Sequence, residues 1–150
     1  MPKPAQQPIG LTLTRTAKAV SRAFDARLTE AGGSLPVWLV LLSLRTQQLG
    51  TQRQLAEAVG IQGATLTHHL NAMEDDGLVT RRRDPANRRV HLVELTPAGK
   101  ALFDRLRAAA MAHDERLRAG LTREDLQRLE ELLDRMHGNV TGRRESVPTT

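Results

Sequence analysis

The stretch "TQRQLAEAVGIQGATLTHHLNAMEDDGLVTRRRDPANRRVHLVEL", residues 51–95, carries the organisation of the chain. Thr51 and Gln54 have the spacing of a capping box. The helix they open turns Leu55, Ala56 and Val59 inward before Gly60 stops it. Almost at once a second helix begins, from about Gln62 to Asp76, with Leu66, Leu70 and Met73 along one side and Gly77 at its end. Two short helices joined by so tight a turn have helix-turn-helix spacing. That geometry asks for a small residue on the first helix, a turn residue that tolerates a left-handed conformation, and an apolar anchor in the turn. Ala56, Gly60 and Ile61 meet the three conditions. The second helix must also start polar and narrow, as Gln62, Gly63, Ala64, Thr65, Thr67 and His68 do.

The remainder of the stretch is two short apolar, β-branched runs around an arginine-rich loop, and it reads as a β-hairpin. An isolated hairpin is marginal in water, so this one needs a buttress. The helix pair before it supplies one, and the whole reads as a winged helix-turn-helix. Arg81, Arg82, Arg83, Arg88 and Arg89 against Asp84 give residues 78–91 four of the chain's five net positive charges, leaving one for the other 136 residues. Charge placed this way suits a polyanion. Arginine at a wing tip fits a narrow minor groove, whose negative potential favours an inserted guanidinium. Arg81 to Arg83, at the ribbon's base, are expected along phosphates. Residues 51–77, by contrast, set Arg53 against Glu57, Glu74, Asp75 and Asp76, a net −3, so the reading helix is not itself basic. Binding is expected to rest on the wing and on the helix N-terminus.

Outside this unit, Ile9, Leu13, Thr16/Ala17, Val20, Phe24, Leu28 and Ala31 recur every three or four residues and predict one long amphipathic helix, ended by Gly32-Gly33. Ser34 can cap the next helix, with Pro36 in its first turn. "VWLVLLSL" is apolar on nearly every side and is expected in the middle of the fold. Thr96-Pro97 starts a long helix with Leu102, Leu106, Ala109/Ala110, His113 and Leu117 on one face. Thr122 and Asp125 cap a last helix, striped by Leu126, Leu129, Leu132/Leu133 and Met136, which Gly138 is expected to end.

Aromatics are few, only Phe24, Trp38 and Phe103, which suits helices packing on helices. With no cysteine, disulfides, thiolate metal sites and cysteine redox sensing are excluded. No signal-peptide pattern is visible, and the longest apolar run, near Leu35 to Leu44, is too short to span a bilayer. A cytoplasmic location without a membrane partner is the expectation.

The run from Leu55 to Gly99 resembles the winged helix-turn-helix core of the multiple antibiotic resistance regulator (MarR) family. The likeness is carried by the "G-L-V-x-R" step into the wing, the "D-P-x-x-R-R" tip and the closing "L-T-P-A-G". It extends over about residues 9–137. The resemblance implies a single domain, mainly α with a small β-hairpin wing. Dimerisation helices would occupy about 9–45 and 97–137, the DNA-binding lobe about 46–96, and residues 1–8 and 138–150 would be loose. It further implies a homodimer that regulates transcription, as a repressor, by placing one recognition helix per subunit in successive major grooves of a pseudo-palindromic operator in double-stranded DNA. Gln62, Thr65, Thr67 and His68 then align with base or phosphate contacts, with Gly63 and His69 beside them and Thr51 and Arg53 on the helix before the turn. Arg89 aligns with the minor-groove residue, and Arg88 is its neighbour. One position departs from the family: Asn87 stands where an aspartate usually precedes the arginine pair, so a weaker hold on the wing is expected.

The resemblance also implies a small anionic or aromatic effector in a cleft between the dimer helices and the DNA-binding lobe, with Phe24, Arg27 and Trp38 as candidate lining. Core packing is the simpler account of Phe24 and Trp38, and a solvated helix position that of Arg27. His68 and His69 invite a zinc-responsive reading, but neighbours on a helix point about 100° apart, and His91, His113 and His137 lack metal-ligand spacing. No metal or other cofactor is therefore expected. Without a glycine-rich phosphate loop or a nucleophile elbow, an enzyme is not expected either; the acids at 74–76 suit helix solvation or a salt bridge. A ligand-independent DNA-organising protein is the remaining alternative, and the readable side chains of the recognition helix argue against it.

Overall fold

A computed structural model describes residues 7–46 and 50–142. The proposed loose ends therefore lie largely outside the described residues, at 1–6 and 143–150. The element order is α1 (Ile9–Glu30), α2 (Leu35–Thr46), α3 (Gln52–Val59), α4 (Gly63–Asp75), β1 (Val79–Arg83), β2 (His91–Leu95), α5 (Pro97–Arg118) and α6 (Arg123–Thr141). The chain divides into two compact units, one reaching His113 and one starting at Asp114.

In the first unit the core gathers around α2. Trp38, Val40 and Leu41 are buried with Leu28 of α1, Leu55 of α3, Leu66, Leu70 and Met73 of α4, Val79 and Val93 of the wing, and Leu102, Phe103 and Leu106 of α5. The apolar side read for α4 is thus the one buried, and α2, read as apolar on nearly every side, buries Trp38, Val40, Leu41 and Ser43. α2, grouped above with the dimerisation helices, packs on α3, α4 and β2 as well as on α1. Ser34 Oγ accepts from Val37 N at 3.4 Å and starts it. Phe103 lies outside the face read for α5, yet it is buried and stacks on Trp38 with ring centroids 5.6 Å apart.

β1 and β2 pair antiparallel in the register Val79↔Leu95, Arg81↔Val93 and Arg83↔His91. The hairpin is not alone. Thr51 bridges Leu92, and Val93 N donates to Gly50 O at 2.7 Å, so the chain entering α3 acts as a third strand against β2. Nothing in the alternation of the sequence marks Gly50-Thr51 as a strand, because one bridge is too short to carry a period.

The wing is fastened to α5 at the "LTPAG" segment. Thr96 N donates to Leu78 O at 3.1 Å, and the Thr96 hydroxyl donates to Gly77 O at 2.6 Å while accepting from Gly99 N at 3.0 Å. A side chain at Gly99 would overlap the Leu78 carbonyl, which is the physical reason for glycine there.

α1 buries only its last turns. Leu28 is fully enclosed, whereas Ile9, Leu11 and Leu13 stay exposed. In the second unit, Thr122 and Asp125 form the expected capping box. The end of α6 corrects the sequence reading: the helix passes through Gly138 to Thr141, and Gly142 takes the left-handed cap at φ 72°. A glycine inside a helix costs about 1 kcal/mol and does not by itself stop it. Residues 138–141, expected to be loose, are therefore helical. α6 has no buried residue, and Leu129, Leu132 and Leu133 all face outward.

Candidate nucleic-acid interface

The interface is assembled from the start of α3, the turn into α4 and the wing. Thr51 Oγ1 accepts from Gln54 N, and Gln54 Oε1 accepts from Thr51 N, both at 3.1 Å. The capping box so formed fixes where α3 begins. Gly60 then adopts φ 73°, and both Gly60 N and Ile61 N donate to Ala56 O. This left-handed residue turns the chain within two positions, so α4 starts against α3. Gln62 precedes α4 without any side-chain cap, which leaves the amide groups of the first turn directed outward. Those groups and the helix dipole favour an anion at that end. Gln62, Gly63, Ala64, Thr65 and His68 are all exposed there.

Between this end of α4 and the wing runs a groove of about 960 Å³. Thr51, Arg53, Gly63, Thr67 and Arg89, all singled out from the sequence, line it together with Gln52 and His91. Among the described residues the guanidinium groups of Arg88 and Arg89 make no hydrogen bond or ion pair, so both are available to a ligand. The tip that carries them is ordered by its own short side chains. Asp84 Oδ1 accepts from Ala86 N at 2.9 Å, Asn87 Oδ1 accepts from Arg89 N at 3.2 Å, and Val90 N donates to Asn87 O at 2.9 Å. Asn87 thus makes the turn an aspartate would make, through its neutral oxygen.

Several residues named from the sequence have partners inside the protein. The Arg81 guanidinium reaches Glu74 Oε1 at 3.2 Å and Asn71 Oδ1, and its backbone N donates to Glu74 Oε2 at 3.0 Å. Only 19% of its side chain is exposed. The hydrogen bond from the Arg81 side chain, helped by its charge and backbone amide and opposed by desolvation, holds the Glu74 carboxyl below the usual carboxylate value. Arg82 pairs with Glu94 at 2.9 Å on the opposite face of the hairpin. Arg83 Nη1 donates to Arg88 O at 3.3 Å and steadies the tip, while the rest of its guanidinium has no partner among the described residues. Thr67 is likewise engaged: its hydroxyl donates to Gly63 O at 2.9 Å and accepts from Gln52 Nε2 at 2.6 Å, tying α3 to α4. For Arg81, Arg82 and Thr67 the cause is a partner on another element, Glu74, Glu94 and Gln52, which helix spacing does not reveal.

His68 and His69 sit edge to face with centroids 5.8 Å apart, His68 exposed and His69 half-buried. Trp38, offered above as cleft lining, belongs to the core at 8% exposure. Phe24 stacks on His113 at 5.1 Å, and Arg27 is half-buried. The sequence reading missed Gln52 and His91, and it offered a salt bridge for the acids at 74–76 without naming Arg81 and Asn71 as partners. Period-two alternation could have found His91, since it shares a strand face with buried Val93.

The sequence model of the MarR family matches residues 34–91, which spans α2 to the start of β2. The chain is similar to the transcriptional repressor CouR bound to a 23-mer DNA duplex, at 28% identity and TM-score 0.75, over 87% of this chain and 93% of that one. It is also similar to CouR from Rhodococcus jostii RHA1 bound to p-coumaroyl-CoA, at 27% identity and TM-score 0.70, over 87% and 92% of the two chains. The fold is shared with the PcaV transcriptional regulator from Streptomyces coelicolor, at 24% identity and TM-score 0.80, over 91% and 99%. With the winged helix-turn-helix assembled as described, residues 34–91 match the MarR family model, and the chain is similar in structure to solved transcriptional regulators of that family.

Proposed function

We propose that this protein is a homodimeric repressor. Each subunit lays the N-terminal turns of α4 into a major groove of a pseudo-palindromic operator and sends Arg89 into the flanking minor groove. The observation that carries this reading is the shared groove. The exposed start of α4, the cap of α3 and an uncommitted wing arginine line one channel. α4 supplies readable side chains, Gln62, Thr65 and His68, without a net positive charge, so affinity comes from the wing and the helix N-terminus while α4 selects sequence.

Dimerisation is supported by the apolar residues left uncovered on α1 and α6, Ile9, Leu11 and Leu13 on the one and Leu129, Leu132 and Leu133 on the other. Relief by a small anionic or aromatic ligand is supported by CouR, which is known both on DNA and with p-coumaroyl-CoA.

Selection of bound duplexes from a random pool tests the reading. The expected product is an inverted repeat whose half-sites are centred about one helical turn apart. Recovery of no preferred sequence, or of a single unrepeated half-site, overturns it.

A further inference from the structure

The hairpin face that seats the wing on α4 continues past its hydrophobic end. Along β1, Val79, Arg81 and Arg83 share this face, and along β2, Leu95, Val93 and His91 do, because side chains alternate across a strand. Val79 and Val93 are buried, and Arg81 is closed on Glu74. The next pair outward is Arg83 directly opposite His91. Both line a depression of about 500 Å³ beside Gln52 and Thr67, and His91 also borders the larger groove that holds Arg89.

Resting on the DNA-binding reading above, we propose that Arg83 and His91 form a phosphate subsite and that His91 takes up a proton when DNA binds. The charged groups around this pair are Arg89 and Arg53 with Glu57 along the larger groove, and Arg81, Arg82 and Glu74 along the depression. A backbone phosphate between the Arg83 and His91 side chains adds a negative charge that favours the protonated ring. Affinity for DNA then rises as the pH falls through the range in which histidine ordinarily changes charge, roughly pH 8 to 6.

The test is fluorescence anisotropy at fixed salt, using a labelled duplex from the selected pool of about 20–25 base pairs, enough for two half-sites one turn apart. The wild-type chain is expected to bind about three- to tenfold more tightly per subunit at the acidic end than at the alkaline end, as one linked proton allows. His91→Gln is expected to lose this response. His91→Lys, charged throughout, is expected to bind at the alkaline end as the wild type does at the acidic end, also without a response. A wild-type affinity independent of pH, or a His91→Gln variant that keeps the full response, overturns the subsite while leaving DNA binding intact. Absence of wild-type binding to any duplex overturns the functional reading, and the subsite with it.

Discussion

Glu74, in the last turn of α4, holds Arg81, on the first strand of the wing, through both carboxylate oxygens. The pair crosses the Gly77 turn and fixes how far the wing stands from α4. Its acid has a lowered folded-state pKa, chiefly because the Arg81 side chain donates to it. A depressed carboxyl contributes stability that is present above its unfolded value and is lost as the pH falls through the folded value. Glu74→Gln is therefore expected to lower the melting temperature at neutral pH. The difference from the wild type should shrink once the pH drops below the usual value of 4.5. Parallel thermal melts across that range check it, and a gap that stays constant into acid would contradict the assignment.

Arg89→Ala is expected to reduce operator affinity by about 10- to 100-fold per subunit, the size of one good groove contact. No described residue holds the Arg89 guanidinium, so the melting temperature should not change. The dependence of log affinity on log salt should also flatten, by up to about 0.9 for each phosphate that is no longer neutralised. Arg81→Ala should behave differently, because that side chain is bound to Glu74 and Asn71. A lower melting temperature should accompany its weaker binding. Equal reductions of affinity with equal stability in the two variants would contradict this division of the arginines.

That division shows what the sequence made legible. Helix starts and stops governed by local chemistry, such as the capping boxes at Thr51 and Thr122 and the turn at Gly60, could be read directly. So could the buried side of α4, because periodicity reports burial, and the central place of α2, whose run is apolar nearly all round. Five arginines in one hairpin were visible too, but which of them are free depends on partners at distances the periods do not encode. Arg81 finds Glu74 seven residues back, Arg82 finds Glu94 across the strand, and Thr67 finds Gln52 fifteen residues back. The Gly50–Thr51 strand and the true end of α6 were hidden for a related reason. A single bridge has no pattern, and Gly138 competes with a better left-handed cap four residues on.

Gly99→Ala is expected to destabilise the protein by about 1–3 kcal/mol, the usual cost of forcing extra atoms into a packed site. The added methyl meets a backbone carbonyl, Leu78 O, and not the flexible end of a side chain, so relief requires the wing to shift against α5. Chemical denaturation measures the effect. DNA affinity should fall with it, because Leu78 leads directly into β1. Gly63→Ala, with open space around its Cβ, is the control and should leave stability unchanged or slightly raised. A Gly99→Ala variant as stable as the wild type would show that the close approach is not maintained in solution.

Leu129 and Leu133 lie one helical turn apart on α6, 46% and 38% exposed, in a helix that buries no residue. An apolar stripe of this kind remains in water unless another surface covers it, and burying a leucine side chain stabilises by about 1.5–3 kcal/mol. A second copy of the chain is the partner that the homodimer reading requires. Replacing both residues by glutamate should move the sedimentation coefficient from dimer to monomer. Operator affinity should collapse as the two recognition helices lose their linkage, while the first unit, whose core contains no α6 residue, keeps its helical circular dichroism. If the doubly charged variant sediments as the wild type does, α6 is not part of the subunit interface, and the contact must be sought on the uncovered start of α1.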